Sequence, residues 1–148
     1  MSDAVRKIEG FSNSDSPLSY GILTVKSGET IYEGEIVVVL TATPTVVEKG
    51  GDTANALLAT VALQGGAAGE KIRCAHPMSG REYGPYTYTT GSVTNAVIGK
   101  RMFADGSAEV DIKSGTSNAV PLGYCTRPDP DAPTTKVFVA LHQEDATA

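Results

Sequence analysis

Apolar residues along this chain come in short bursts, about one every ten positions, each closed by a glycine, proline or Asp/Asn-rich turn. That spacing predicts strands joined by tight turns. "GILTV" (21–25) alternates and stops at Ser27-Gly28; "ETIY" (29–32) runs into a turn at Glu33-Gly34. "IVVVL" (36–40) is an unbroken apolar run, which predicts a strand covered on both faces. "PTVVEKGGD" (44–52) reads as a short strand and a Gly-Gly turn. In "ANALLATVAL" (54–63), Leu57, Leu58 and Val61 also fit a helical turn. The β-branched Thr60 and Val61 and the stop at Gly65-Gly66 favour a strand, with a helical turn over 52–56.

"EKIRCAH" (70–76) alternates, placing Ile72, Cys74 and His76 on one face and Lys71, Arg73 and Ala75 on the other. A loop, "PMSGREYGP" (77–85), precedes "YTYTT" (86–90). "AVIGKRMFADGSAEVDIKSG" (96–115) reads as strand, Asp-Gly turn, strand, a hairpin signature. "AVPLGYCT" (119–126), the turn "RPDPDAPTT" (127–135) and the strand "KVFVAL" (136–141) follow. No segment has the pattern of an amphipathic helix of three turns.

A weak internal echo supports the same class. "LLATVALQGGAAGEKIRCA" and "VPLGYCTRPDPDAPTTKVFVA" both run from an apolar strand through a small-residue turn to a strand opening on lysine. Two such hairpin units suit a closed or nearly closed barrel, which removes exposed edges. The expected fold is all-β: a small β-barrel or β-sandwich of short strands with a non-regular N-terminal arm. Residues 1–20 are the arm, polar and aperiodic around Phe11, Leu18 and Tyr20; 21–142 form the domain and 143–148 a tail.

Composition narrows the function. A chain of 148 residues suits one domain, which removes roughly 70% of its unfolded surface from water. Net charge is −5, and no basic cluster exceeds the pairs Arg6-Lys7 and Lys100-Arg101. That is not the footprint of phosphate neutralisation, so nucleic acid is excluded as an expected partner. The N-terminus lacks an apolar signal region, and no run approaches the ~18 apolar residues of a membrane span. Cytosolic synthesis is expected, and the two cysteines, Cys74 and Cys125, read as reduced thiols.

Candidate chemistry is sparse. Glu29, Glu33 and Glu35 flank turn glycines, where solvated charge is expected, and no partner is fixed by spacing for acid/base work. Cys74, His76, Cys125 and His142 are the inventory of a zinc site but lack the close cysteine pair that presets tetrahedral geometry. Asp129 and Asp131 sit in a proline-stiffened turn rather than a calcium loop, and "GGAAGEK" lacks the Gly-Lys-Ser/Thr of a phosphate loop. Neither metal nor cofactor is expected. Tyr83, Tyr86 and Tyr88 gather in one Gly/Pro-punctuated segment, where tyrosine serves either as an interface contact or as a half-buried strand residue. Binding or architecture is the indicated class, not catalysis.

The order of the pieces resembles the capsid decoration (cement) proteins of tailed bacteriophages. That family shows a "GETIYAGD-V-L" opening, a "GVAL…AAGE-V-V" hairpin, a "GK-VY-D…G-A" section, an "IGV" strand and a last "V-V-L" strand. The matches here are Gly28 to Tyr32 with Gly34-Glu35, Val61 to Leu63 with Ala67 to Glu70, Gly99-Lys100 with Phe103 and Asp105, and Leu122-Gly123. Leu122 stands where the family usually has isoleucine. The resemblance covers residues 21–141 and implies a β-barrel-like domain on the outside of an assembled phage head. It also implies a homotrimer that bridges major capsid subunits, with the virion surface as its location.

Within that reading the expected contacts to capsid or to neighbouring copies are Phe11, Leu18 and Tyr20, then Tyr83, Tyr86 and Tyr88, as apolar points in polar segments. An alternative is a biotinyl/lipoyl-like barrel-sandwich carrier, which shares the glycine-punctuated opening. Such a carrier needs its modified lysine at a hairpin tip, and "SAEVDIKSG" places Lys113 wrongly. A thiol hydrolase using Cys74 or Cys125 is a remoter alternative.

Overall fold

The computed structural model describes residues 19–142, and among these the fold is all β with a single turn of 3-10 helix at Lys113–Gly115. The first half holds β1 (Ser19–Val25), β2 (Thr30–Ile31), β3 (Ile36–Leu40), β4 (Thr43–Lys49), β5 (Ala56–Val61), β6 (Gly66–Ala67) and β7 (Lys71–Ala75). The second half holds β8 (Glu82–Tyr88), β9 (Arg101–Gly106), β10 (Glu109–Asp111), β11 (Pro121–Asp129) and β12 (Ala132–Leu141).

Each half builds one five-stranded sheet. The first runs β5-β3-β4-β1-β7, and β2 pairs with β6 beside it. Its outer strands meet through an Ala62–Cys74 bridge and a 2.9 Å bond from the Leu63 N–H to the Arg73 carbonyl, so the sheet nearly closes. The second sheet closes completely, β10-β8-β12-β11-β9 and back to β10. Closure leaves few edges for unwanted pairing.

β3 explains how the halves join. With side chains alternating along a strand, Val37 and Val39 enter the core of the first sheet, with Leu23, Val47, Ile72 and Cys74. Ile36 and Val38 face the other way, into a larger core shared with Met102, Leu122 and Val137 of the second sheet. All four are fully buried, each worth about 1.5–3 kcal/mol of transfer free energy. The five-residue apolar run is thus the wall between two cores, covered on both faces as its composition predicts.

Polar bonds stitch the same junction. The Ile36 N–H donates to the Ser107 carbonyl at 2.8 Å. Asp52 clamps a loop of the second half: its carboxylate accepts from the Ser117 and Asn118 N–H groups at 2.5 and 2.7 Å, and its carbonyl accepts from the Asn118 amide at 2.7 Å.

Some boundaries differ from expectation. The helical turn over 52–56 is absent; Asn55 instead adopts φ 62 in a tight turn into β5, a conformation asparagine tolerates. β8 begins at Glu82 rather than Tyr86, because a register shift opposite Val137/Val139 accommodates Gly84-Pro85 within the strand. β11 likewise continues through Pro128 to Asp129, shrinking the predicted nine-residue turn to Pro130-Asp131. "AVIG" forms turns, and the β9–β10 hairpin turns at Ser107-Ala108, just past the Asp-Gly pair. The echoed segments also differ from each other: β11 and β12 form one long hairpin, whereas β5 and β7 share no ladder and meet through the Ala62–Cys74 bridge, the Leu63–Arg73 bond and the Thr60 hydroxyl donating to the Ala75 carbonyl at 2.6 Å. Tyr20 lies inside β1, so the regular domain starts within the segment read as arm. Phe11 and Leu18 lie outside the described residues.

Candidate functional site

The acids of the opening motif converge on one lysine. Glu29 accepts the backbone N–H of Lys49 at 2.7 Å, and Glu35 accepts its ammonium at 3.1 and 3.3 Å. Glu35 also accepts the Tyr32 N–H at 2.9 Å, and the Lys49 ammonium stands 5.5 Å from the Tyr32 ring centre. Glu29 and Glu35 are half-buried, so only Glu33 is the solvated flank expected of all three. The cluster fastens the end of β4 to the β2–β3 turn. Its carboxylates are occupied by an N–H and an ammonium, an arrangement suited to holding a turn rather than moving a proton.

The thiols are separate and inert. Cys74 and Cys125 are free and buried. Burial pushes the Cys74 thiol up to about 12 and raises that of Cys125; a nucleophilic cysteine requires the opposite shift. His76 is tied into its loop, its Nδ1 accepting the Met78 N–H at 3.1 Å. No group of metal-ligating side chains forms among the described residues. Asp129 is buried and accepts the Asp131 N–H at 3.1 Å, which makes the pair a turn device.

The tyrosines part company. Tyr86 is 3% exposed and Tyr88 8%, both in the shared core. Tyr86 donates its hydroxyl to the Gly34 carbonyl at 2.8 Å, while burial raises the pKa of both side chains. As surface contacts these two are corrected: residues two apart on β8 share a face, and that face is the interior. Tyr83 is half-buried against the same core. Tyr20 is half-buried too, its ring edge-on to His76 at 6.4 Å.

The large apolar residues that do face solvent include Ile22, Tyr32 and Met78, at 51, 63 and 50% exposure. Sequence reading did not single them out: Ile22 and Tyr32 stand next to the apolar Leu23 and Ile31, and Met78 sits in a loop after Pro77, so nothing local marks any of the three as exposed. It also undervalued Lys100, Arg101 and Lys113, which line one groove. A signal for that was present: the hairpin sets Phe103 opposite Asp111, and the 3-10 turn that carries Lys113 follows directly and packs beside β9, which carries Arg101. The hairpin tip itself is Ser107-Ala108, so Lys113 is not where a carrier lysine would stand. Comparison with family models, with curated proteins and with solved structures finds no match to this chain.

Proposed function

We propose that this protein is a structural virion component that binds the outside of a tailed-phage head and stabilises the lattice by bridging major capsid subunits. The observation that carries the reading is how the four family-like pieces meet. Residues 28–35 join residues 61–70 through β2–β6 pairing and a 2.8 Å bond from the Gly34 N–H to the Ala62 carbonyl. Residues 99–105 join Leu122-Gly123 through β9–β11 pairing and a bond from the Gly99 N–H to the Cys125 carbonyl. The pieces thus pair with one another in the fold, which supports reading them together rather than as four separate short matches.

The chemistry-bearing residues described above are committed to holding turns and cores, which suits architecture. Surface contact then falls to Phe11 and Leu18 of the N-terminal segment and to exposed points such as Ile22, Tyr32 and Met78. Repeated on a symmetric shell as a homotrimer, weak contacts sum by multivalency. The protein is not an enzyme in this reading and takes no cofactor.

Co-sedimentation with expanded heads assembled without the protein tests this. Saturable binding, weakened by deletion of residues 1–18, supports the reading; absence of the full-length chain from the head fraction overturns it.

A further inference from the structure

The surface beside the 3-10 turn carries a groove that the fold does not require. Two adjoining hollows of about 380 and 310 Å³ share Lys100 and Ile112 as common walls. One is completed by Arg101, Phe103 and Lys113; the other reaches past Val97 towards Thr90 and Tyr88. No acidic side chain lines either hollow among the described residues. Asp111, adjacent in sequence, is buried and bound to the Ile112 N–H at 2.8 Å and to the Thr90 hydroxyl.

The groove brings together cations, Lys100 and Lys113, that no acid in its lining neutralises. Lys26, Lys49 and Arg127 are paired with Glu48, Glu35 and Glu82. Lys100 and Lys113 are exposed and have no ion-pair partner among the described residues. On a chain of net charge −5, two unpaired ammonium groups beside an apolar wall make a local positive field where opposite charge is favoured.

We propose that this groove binds an acidic peptide segment of a partner protein. Its carboxylates pair with Lys100 and Lys113, and an apolar side chain between them seats on Ile112 and the rim of Phe103. The lining argues against a lone carboxylate or phosphate, which would leave the apolar wall of Ile112 and Phe103 unused. A nucleic acid would need many more neutralised phosphates than this patch offers and would meet an acidic protein around it. The proposal rests on the groove itself and stands independently of the capsid reading.

Fluorescence anisotropy tests it, using a labelled glutamate-rich peptide that contains leucine and phenylalanine. The probe should bind at low ionic strength, weaken with added salt, and lose about tenfold or more in affinity, about 1.4 kcal/mol, in Lys100→Glu and in Lys113→Glu. Lys71→Glu, an exposed cation on β7, should leave binding unchanged apart from the common net-charge effect. Lys100→Gln and Lys113→Gln should each weaken binding too, and serve if a charge reversal disturbs folding. Equal loss in Lys71→Glu, equal binding of a lysine-rich peptide, tighter binding of a single-stranded DNA, or no binding of the acidic probe would each overturn the assignment.

Discussion

The Tyr86 hydroxyl donates to the Gly34 carbonyl at 2.8 Å, joining residues 52 apart in the chain. Gly34 occupies the turn before β3 with φ 89, and Tyr86 is buried in the second sheet. One side chain therefore fixes the glycine turn of the first half from the interior of the second.

Tyr86→Phe keeps the ring and removes only this bond. It should cost about 1–3 kcal/mol, because the Gly34 carbonyl loses its partner in a part-buried junction. Urea unfolding reads it as a lower midpoint with an unchanged slope; a midpoint equal to wild type would contradict the stitching role.

Glu29 and Glu33 are near neighbours with different work. Glu29→Ala removes the acceptor of the Lys49 N–H, a charge-assisted bond worth about 1.5–3 kcal/mol. Glu33 is exposed, so Glu33→Ala should fall within about 0.5 kcal/mol of wild type. Equal effects of the two in the same urea assay would dissolve the distinction.

Gly123 lies where β11 crosses close to β12: an added Cβ would stand 1.9 Å from the Ala140 carbonyl oxygen. No flexible side chain can yield there, so Gly123→Ala should cost several kcal/mol or leave the protein unfolded by circular dichroism. Gly91 has open space and no positive φ, and Gly91→Ala should melt within a few degrees of wild type. A Gly123→Ala protein as stable as wild type would show that the two strands are spaced differently.

Glu82 supplies the pH dependence. The Thr126 hydroxyl first, and the Arg127 guanidinium next, hold its carboxyl below the usual carboxylate range. The Arg127 guanidinium, 3.0 Å from Glu82, stacks 3.9 Å over the Phe138 ring. A depressed folded pKa gives stability that is present above the ordinary carboxylate pKa and lost as pH falls through the folded value. The melting temperature of Glu82→Gln should therefore lie below wild type at pH 7, and the gap should close on acidification below about pH 4. A gap that persists or grows in acid would contradict the pairing.

Legibility followed the backbone demand on each residue. β3 is plain in "IVVVL" because a largely β-branched apolar run of five, following the turn at Gly34, fits a strand whose two faces enter two cores. The β9–β10 hairpin is plain because Asp105-Gly106 marks a turn within two residues of its true place. β8 was obscured by Gly84-Pro85, a pair that reads as loop until a register shift in β12 is known to absorb it. Tyr86 and Tyr88 fall in "YTYTT", where tyrosine fits an interface or a half-buried strand face equally well, and only the packing of β8 against the shared core decides between them. Glu29, Glu35 and Asp52 were unreadable for another reason: their partners lie 14 to 66 residues away, and no local pattern encodes such pairings.

The direct measurement is cryo-electron microscopy of heads incubated with saturating protein. A capsid decoration role predicts added density on the outer surface at every symmetry-equivalent position, spanning adjacent capsid subunits and fitting the two-sheet domain. Heads with a bare outer surface at saturating protein, or density confined to the interior, would contradict it.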